Sequence, residues 1–160
     1  MKIAILNDTH CGIRNSSEIF LKNSEDFYNE VFFPTCEKNN IKQIIHLGDY
    51  YDHRKFVNFK ALNHNRTTFL DQLRKRGMSM DIIPGNHDTF YKNTNETNSP
   101  ELLLKEYDSI TTYSEPTEVM INGNEVLFLP WICADNWGKA NDMIDNSNAE
   151  AVFGHLEIAG

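Results

Sequence analysis

An α/β fold organised around a parallel sheet is what this sequence predicts, and two observations carry it. Three apolar runs rich in β-branched residues, Ile3-Ala4-Ile5-Leu6-Asn7, Ile41 to Leu47 and Asp81-Ile82-Ile83-Pro84, each stop abruptly at a polar loop, as strands buried on both faces do. Helix-spaced segments separate them, giving the strand–helix–strand order from which parallel sheets are made.

Taken in order, the first strand runs into Asp8-Thr9-His10, and Ser16-Ser17-Glu18 then starts a helix. Phe20, Phe27, Val31 and Cys36 supply its apolar stripe, Pro34 must kink or restart it, and Asn39-Asn40 stops it. The second strand ends in Gly48-Asp49-Tyr50-Tyr51-Asp52. A second helix is expected from about Asn58 through Leu62, Phe69, Leu70 and Leu73 to a Gly77 cap, with Arg74-Lys75-Arg76 complementing the dipole of its last turn. The third strand delivers Gly85-Asn86-His87-Asp88.

Beyond it, residues 91–98 read as a polar surface loop, and Ser99-Pro100 as the cap and first residue of a short helix through Leu104. Glu118 to Ile121 and Glu125 to Leu129 flank Asn122-Gly123, the preferred pair for a type I′ hairpin turn. A helix is expected over 135–146, and a last apolar run, Ala151-Val152-Phe153, ends at Gly154-His155.

Composition narrows the classes. The length of 160 residues suits one domain with a real core. The apolar run at the N-terminus is too short for a signal sequence and no later run approaches a membrane span, so a cytoplasmic protein with no membrane partner is expected. Three cysteines, Cys11, Cys36 and Cys133, lack metal-ligand spacing and read as reduced thiols. The net charge of −8 argues against nucleic-acid binding through the overall field. Nucleic acid responds to local patches, however, and several of these acids are candidate metal ligands.

Those candidates follow from the strand ends. Open α/β sheets place their chemistry at the C-terminal edge of the strands, and three strands here bring Asp, His, Asp, Asn and His to that edge. Such hard oxygen and imidazole donors describe a site for two divalent metals, with Asp49 placed to bridge them. Gly-Asn-His-Asp is the most specific of the motifs, with a chance probability on the order of 10⁻⁵ per position. His46, inside a strand, and His64, on a helix, read as a packed or surface-facing strand residue and a solvated position. Trp131 and Trp137 read as packing residues.

Asp8/His10, Gly48/Asp49/Asp52, Gly85 to Asp88 and Gly154/His155 together resemble the pattern of the calcineurin-like metallophosphoesterases. Asp52-His53-Arg54-Lys55, Tyr91-Lys92-Asn93, Ser99 to Leu103 and Leu129-Pro130-Trp131-Ile132-Cys133 narrow the resemblance. They look most like the nuclease subunits of the SbcC–SbcD type of double-strand-break repair complex, and among those the recombination endonuclease subunits of T-even-like phages.

The resemblance implies a β-sandwich flanked by helices and two divalent metals, most simply Mn2+. One metal would lie on Asp8, His10 and Asp49, and the second on Asp49, Asn86 and His155. His87 would stabilise or protonate the leaving oxygen, and Asp88 would orient or charge its imidazole. Asp52, His53, Arg54 and Lys92 are the candidate substrate contacts, with Lys55 beside them. The family's later Gly-His-x-His motif is not among the 160 residues, so the sequence reads as the N-terminal part, 1–160, of a single nuclease domain whose C-terminal strands are missing.

The function so implied is a metal-dependent DNA exonuclease and endonuclease subunit hydrolysing phosphodiester bonds in recombination, repair or phage DNA processing. Its partners would be DNA, an SbcC-type ATPase and a second copy of itself. The alternatives are a phosphatase or nucleotide phosphodiesterase on the same site, or a non-catalytic binding scaffold. Intact His87 and Asp88 weigh against the scaffold.

Overall fold

The computed structural model describes residues 2–157; Met1 and residues 158–160, the ends of the span assigned to one domain, lie outside the described residues. Strands β1 (Ala4–Leu6), β2 (Gln43–His46), β3 (Ser79–Ile82) and β4 (Ile110–Thr112) form one parallel sheet in that order. Strands β5 (Thr117–Ile121), β6 (Asn124–Leu129) and β7 (Ala151–Gly154) form a second, with β5 antiparallel and β7 parallel to β6. The hairpin joining β5 to β6 turns at Asn122 and Gly123, whose φ angles of 54° and 88° are the left-handed pair that a type I′ turn requires.

Side-chain alternation along the strands separates the layers. Ile45 and Ile83 pack against Ile121, Val126 and Phe128, which joins the two sheets face to face. Ile44, Met80 and Ile82 face the other way, into Tyr28, Phe32, Phe33, Phe69 and Leu73 of the helices. Helix α1 runs without interruption through Glu18–Asp26, a π-helical stretch Phe27–Phe32 and Phe33–Lys38. Helix α2 is built alike from Phe59–Asn65, a π-helical Arg66–Leu70 and Asp71–Lys75. The short α3 spans Ser99–Leu103, and α4, Trp137–Asn146, lays Ala140 on Leu127 and Leu129 at the outer face of the second sheet. The architecture is therefore a β-sandwich between helices. Among the described residues, no helix is long and apolar enough to cross a membrane.

Three expectations need correction. The buried stripe of α1 is Leu21, Tyr28, Phe32, Phe33 and Cys36, while Phe20, Phe27 and Val31 are exposed. The helical spacing occurs twice in this segment, one residue apart, and the register that stacks Tyr28 on Phe69 with ring centroids 4.6 Å apart is the one buried. Pro34 falls as the expected restart requires, in the first turn of Phe33–Lys38, and the π-helical stretch ahead of it shifts the bonding so that the helix runs on, the Phe33 amide reaching back to the Tyr28 carbonyl. The cap of α3 is Asn98, whose side chain accepts from the Glu101 amide at 2.9 Å, with Ser99 inside the helix. His64 is half-buried at 3.9 Å from Glu25, where a solvated position was expected.

Candidate metal centre

The site begins where β1 and β2 end. Their pairing continues past both strands as hydrogen bonds donated by the amides of Asp8 to the Gly48 carbonyl (3.1 Å), His10 to the Asp49 carbonyl (3.0 Å) and Cys11 to the Tyr50 carbonyl (2.8 Å). Asp8, His10 and Asp49 adopt φ of 51°, 41° and 51°, a left-handed backbone that costs non-glycine residues on the order of 1 kcal/mol each. That strain turns all three side chains out of the strand direction and into the space between the loops, and the hydrogen bonds hold it there.

Asp49, almost fully buried, lies at the middle of the group. Its Oδ2 is 3.6 Å from His10 Nε2, and its Oδ1 is 3.5 Å from His155 Nε2. His10 Nε2 is also 3.9 Å from Asp8 Oδ1, and His155 Nε2 is 2.9 Å from Asn86 Oδ1. One carboxylate thus faces Asp8 and His10 with one oxygen and Asn86 and His155 with the other. His87 closes the space on a third side, its ring edge-on to His10 with centroids 4.9 Å apart. The structure brings together all six of Asp8, His10, Asp49, Asn86, His87 and His155.

The donor chemistry fits cations. His155 Nδ1 donates to the Leu47 carbonyl at 2.8 Å, so the lone pair of the neutral ring sits on Nε2 and points at the Asn86 and Asp49 oxygens. Lone pairs aimed at one another across 2.9 Å repel unless a positive charge lies among them. A histidine whose second nitrogen is tied to a backbone carbonyl is also the usual arrangement of a metal ligand. His10 differs: its Nδ1 is buried without a hydrogen bond, 3.5 Å from Asp52 Oδ1, while its Nε2 faces the two carboxylates. Asp8, His10 and Asp49 each offer an atom within 4.8 Å of the others'.

The structure reassigns Asp88. Its carboxylate is nowhere near the His87 ring in bonding terms: it accepts from the amides of Tyr50 and Tyr51 at 3.0 Å each, from Gly85 at 2.9 Å and from the Ser99 hydroxyl at 3.2 Å. Burial pushes its pKa up, against the three amides that favour the charged form. Asp88 therefore holds the Gly85–Asp88 turn onto the Asp49 loop. The group that orients His87 is the main-chain carbonyl of Asp52, which accepts from His87 Nδ1 at 2.7 Å and leaves Nε2 facing the site. No sequence pattern reports a main-chain acceptor.

Of the substrate-contact candidates, Asp52 belongs to the centre itself, since its carboxylate groups with His10 and His87. His53 lies 3.4 Å from that carboxylate and stacks on Phe56. Arg54 is turned inward, its guanidinium 5.0 Å above the Trp131 ring and 3.2 Å from the Thr89 hydroxyl, so it braces the loop instead of reaching outward. Lys55 lies over the Phe90 ring, and Lys92 is exposed.

Comparison with known proteins gives three results. The model of the calcineurin-like phosphoesterase family matches residues 1–155. Over all 160 residues the chain is 32% identical to exonuclease subunit 1 of Enterobacteria phage T4, of which it spans about half, 47%. Among solved structures, a protein of unknown function from Aquifex aeolicus superposes with a TM-score of 0.51 at 19% identity, over 98% of this chain and 80% of that one, which bears on the fold alone.

Proposed function

This chain belongs to the calcineurin-like phosphoesterase family, and from that premise we propose that it is the nuclease part of a metal-dependent DNA exonuclease and endonuclease subunit. The observation that carries the reading is the placement of Asp49, one buried carboxylate facing Asp8 and His10 on one side and Asn86 and His155 on the other. The narrowing from phosphoesterase to nuclease rests on the similarity to the phage exonuclease subunit.

Asp8, His10 and Asp49 would hold one divalent cation, and Asp49, Asn86 and His155 a second. Cations bound there would supply positive charge to a phosphodiester and acidify water, and Mn2+ is the ion we assign. His87, with Nδ1 committed to the Asp52 carbonyl, keeps Nε2 available to hold or donate a proton at the leaving oxygen. Lys55 and Lys92 are left as the outward cations for phosphates, because Arg54 is engaged with Trp131. Beside them Phe59, Phe56 and Leu102 are 87%, 59% and 67% exposed, and a cavity of about 240 Å³ sinks between them to Leu62 and Leu103. Such an apolar patch suits a second copy of the chain, and an SbcC-type ATPase is the further partner we assign.

The test is hydrolysis of linear duplex and single-stranded DNA, set against p-nitrophenyl phosphate esters, with added manganese and with chelator. Manganese-dependent release of nucleotides from DNA is the result expected once the family's later Gly-His-x-His motif is joined to these residues, and far less from residues 1–160 alone. Activity confined to the small esters would replace the nuclease reading with that of a phosphatase.

A further inference from the structure

His46 is fully buried in β2, yet both of its ring nitrogens are engaged. The Gly48 amide lies 3.2 Å from Nδ1, and because an amide only donates, Nδ1 carries the lone pair. The proton of a neutral ring is then on Nε2, which donates to the Thr9 hydroxyl oxygen at 3.1 Å. That hydroxyl in turn spends its own proton on the Tyr50 carbonyl at 3.2 Å. The chain of bonds starts at Gly48 and ends at Tyr50, the two neighbours of Asp49. It passes through Thr9, the residue between Asp8 and His10.

We propose that His46, as the neutral imidazole protonated on Nε2, is the positioning residue that locks the Asp8–His10 loop to the Gly48–Asp49 loop. Neither loop is relaxed by itself: Asp8, His10 and Asp49 are left-handed, and Gly48 has φ of 99°. A strained arrangement persists only where its surroundings over-determine it. The direct hydrogen bonds fix the two backbones side by side, and the His46–Thr9 relay adds a fastening on both flanks of Asp49. Burial keeps the ring uncharged, pushing its pKa down to about 3, with the His155 and His10 rings nearby acting in the same direction. An apolar residue would fill the position in β2 equally well but would leave the Gly48 amide and the Thr9 hydroxyl without partners.

The effect on metal uptake rests on the ligand reading given above; the relay itself does not. Imidazole nitrogen shifts of His46, measured by NMR on the metal-free chain, are expected to show the proton on Nε2. Thr9→Val is expected to move the Asp49 and His10 amide resonances and to weaken manganese binding by roughly 10- to 100-fold, the range typical of groups that orient ligands. Thr9→Ser, which keeps the hydroxyl, is expected to restore both. A proton found on Nδ1 overturns the proposal, whatever the variants do. So does a Thr9→Val chain whose Asp49 resonance matches the wild type. If the tautomer and the Asp49 shift come out as expected while the wild-type chain takes up no manganese, the ligand reading fails and the positioning role stands.

Discussion

Gly48 and Gly85 stand back to back at the ends of the two central strands, so close that a Cβ on Gly48 would lie 2.6 Å from the Gly85 amide nitrogen. A Cβ on Gly85 would meet Asp49 itself, at 2.3 Å from Oδ1 and 2.4 Å from the backbone nitrogen. These contacts are with backbone and with a buried carboxylate, so no flexible side chain can give way. Gly85→Ala is therefore expected to cost about 3 kcal/mol of stability through overpacking and to push Asp49 out of the centre. Denaturant unfolding and manganese titration on one preparation check both halves. A stable Gly85→Ala chain with unchanged manganese affinity would show that Asp49 has room to move.

Asp88 is expected to matter for folding more than for proton transfer. Removing its carboxylate leaves three buried amides and the Ser99 hydroxyl short of an acceptor, a loss on the order of 4 kcal/mol. Asp88→Ala should thus lower the urea midpoint sharply. Asp88→Asn, which keeps one acceptor oxygen, should lose less. In the folded fraction the His87 ring should keep its proton on Nδ1, as imidazole nitrogen resonances would show, because that ring is held by the Asp52 carbonyl. An Asp88→Asn chain of normal stability whose His87 ring resonances move would restore the orienting role to Asp88.

What the sequence made legible was the order of strands and the residues that close each one, because both are local. An apolar run followed by Gly-Asp or Gly-Asn-His-Asp reads as a strand delivering ligands, and the structure brings those side chains together. Strand β4 was overlooked although Ile110-Thr111-Thr112 carried a β-branched signal, because three residues are too few to show alternation. The face of α1 was misjudged because two helical stripes coexist in it. The Tyr50 and Tyr51 amides that bind Asp88 and the Asp52 carbonyl that holds His87 were beyond reach in principle, since they are backbone groups from a loop some 35 to 38 positions away. His46 showed a strand residue in sequence and a two-sided clamp in three dimensions.

Division of labour inside the centre gives the next expectation. His87 donates through Nδ1 to a carbonyl and faces the site with Nε2, whereas Asp49 faces both halves of the donor set. His87→Gln should therefore lower kcat on DNA by about 10²- to 10⁴-fold while leaving manganese affinity within a few-fold of the wild type. Asp49→Ala should abolish metal binding and activity together. Calorimetric titration of manganese into both chains, alongside the nuclease assay, measures the split. Equal loss of metal in the two variants would make His87 a ligand.

The acid limb of stability is expected to bear the mark of His46. Its folded-state pKa is depressed to about 3 from an ordinary value of 6.5, so between these limits the unfolded chain binds a proton that the folded chain refuses. Stability from this group is complete above about pH 6.5 and drains away as pH falls toward 3, by on the order of 5 kcal/mol over the whole interval. Asp88 works in the opposite direction, since its raised pKa makes the folded chain the better proton acceptor at the acid end. The two contributions are separable by substitution. Unfolding free energies at pH 7, 5.5 and 4 should fall with pH in the wild type, and the fall should be shallower in His46→Gln, which has no proton to take up. A His46→Gln chain with the same acid slope as the wild type would mean that the imidazole titrates alike in both states, and hence that it is not the sealed, neutral group the geometry describes.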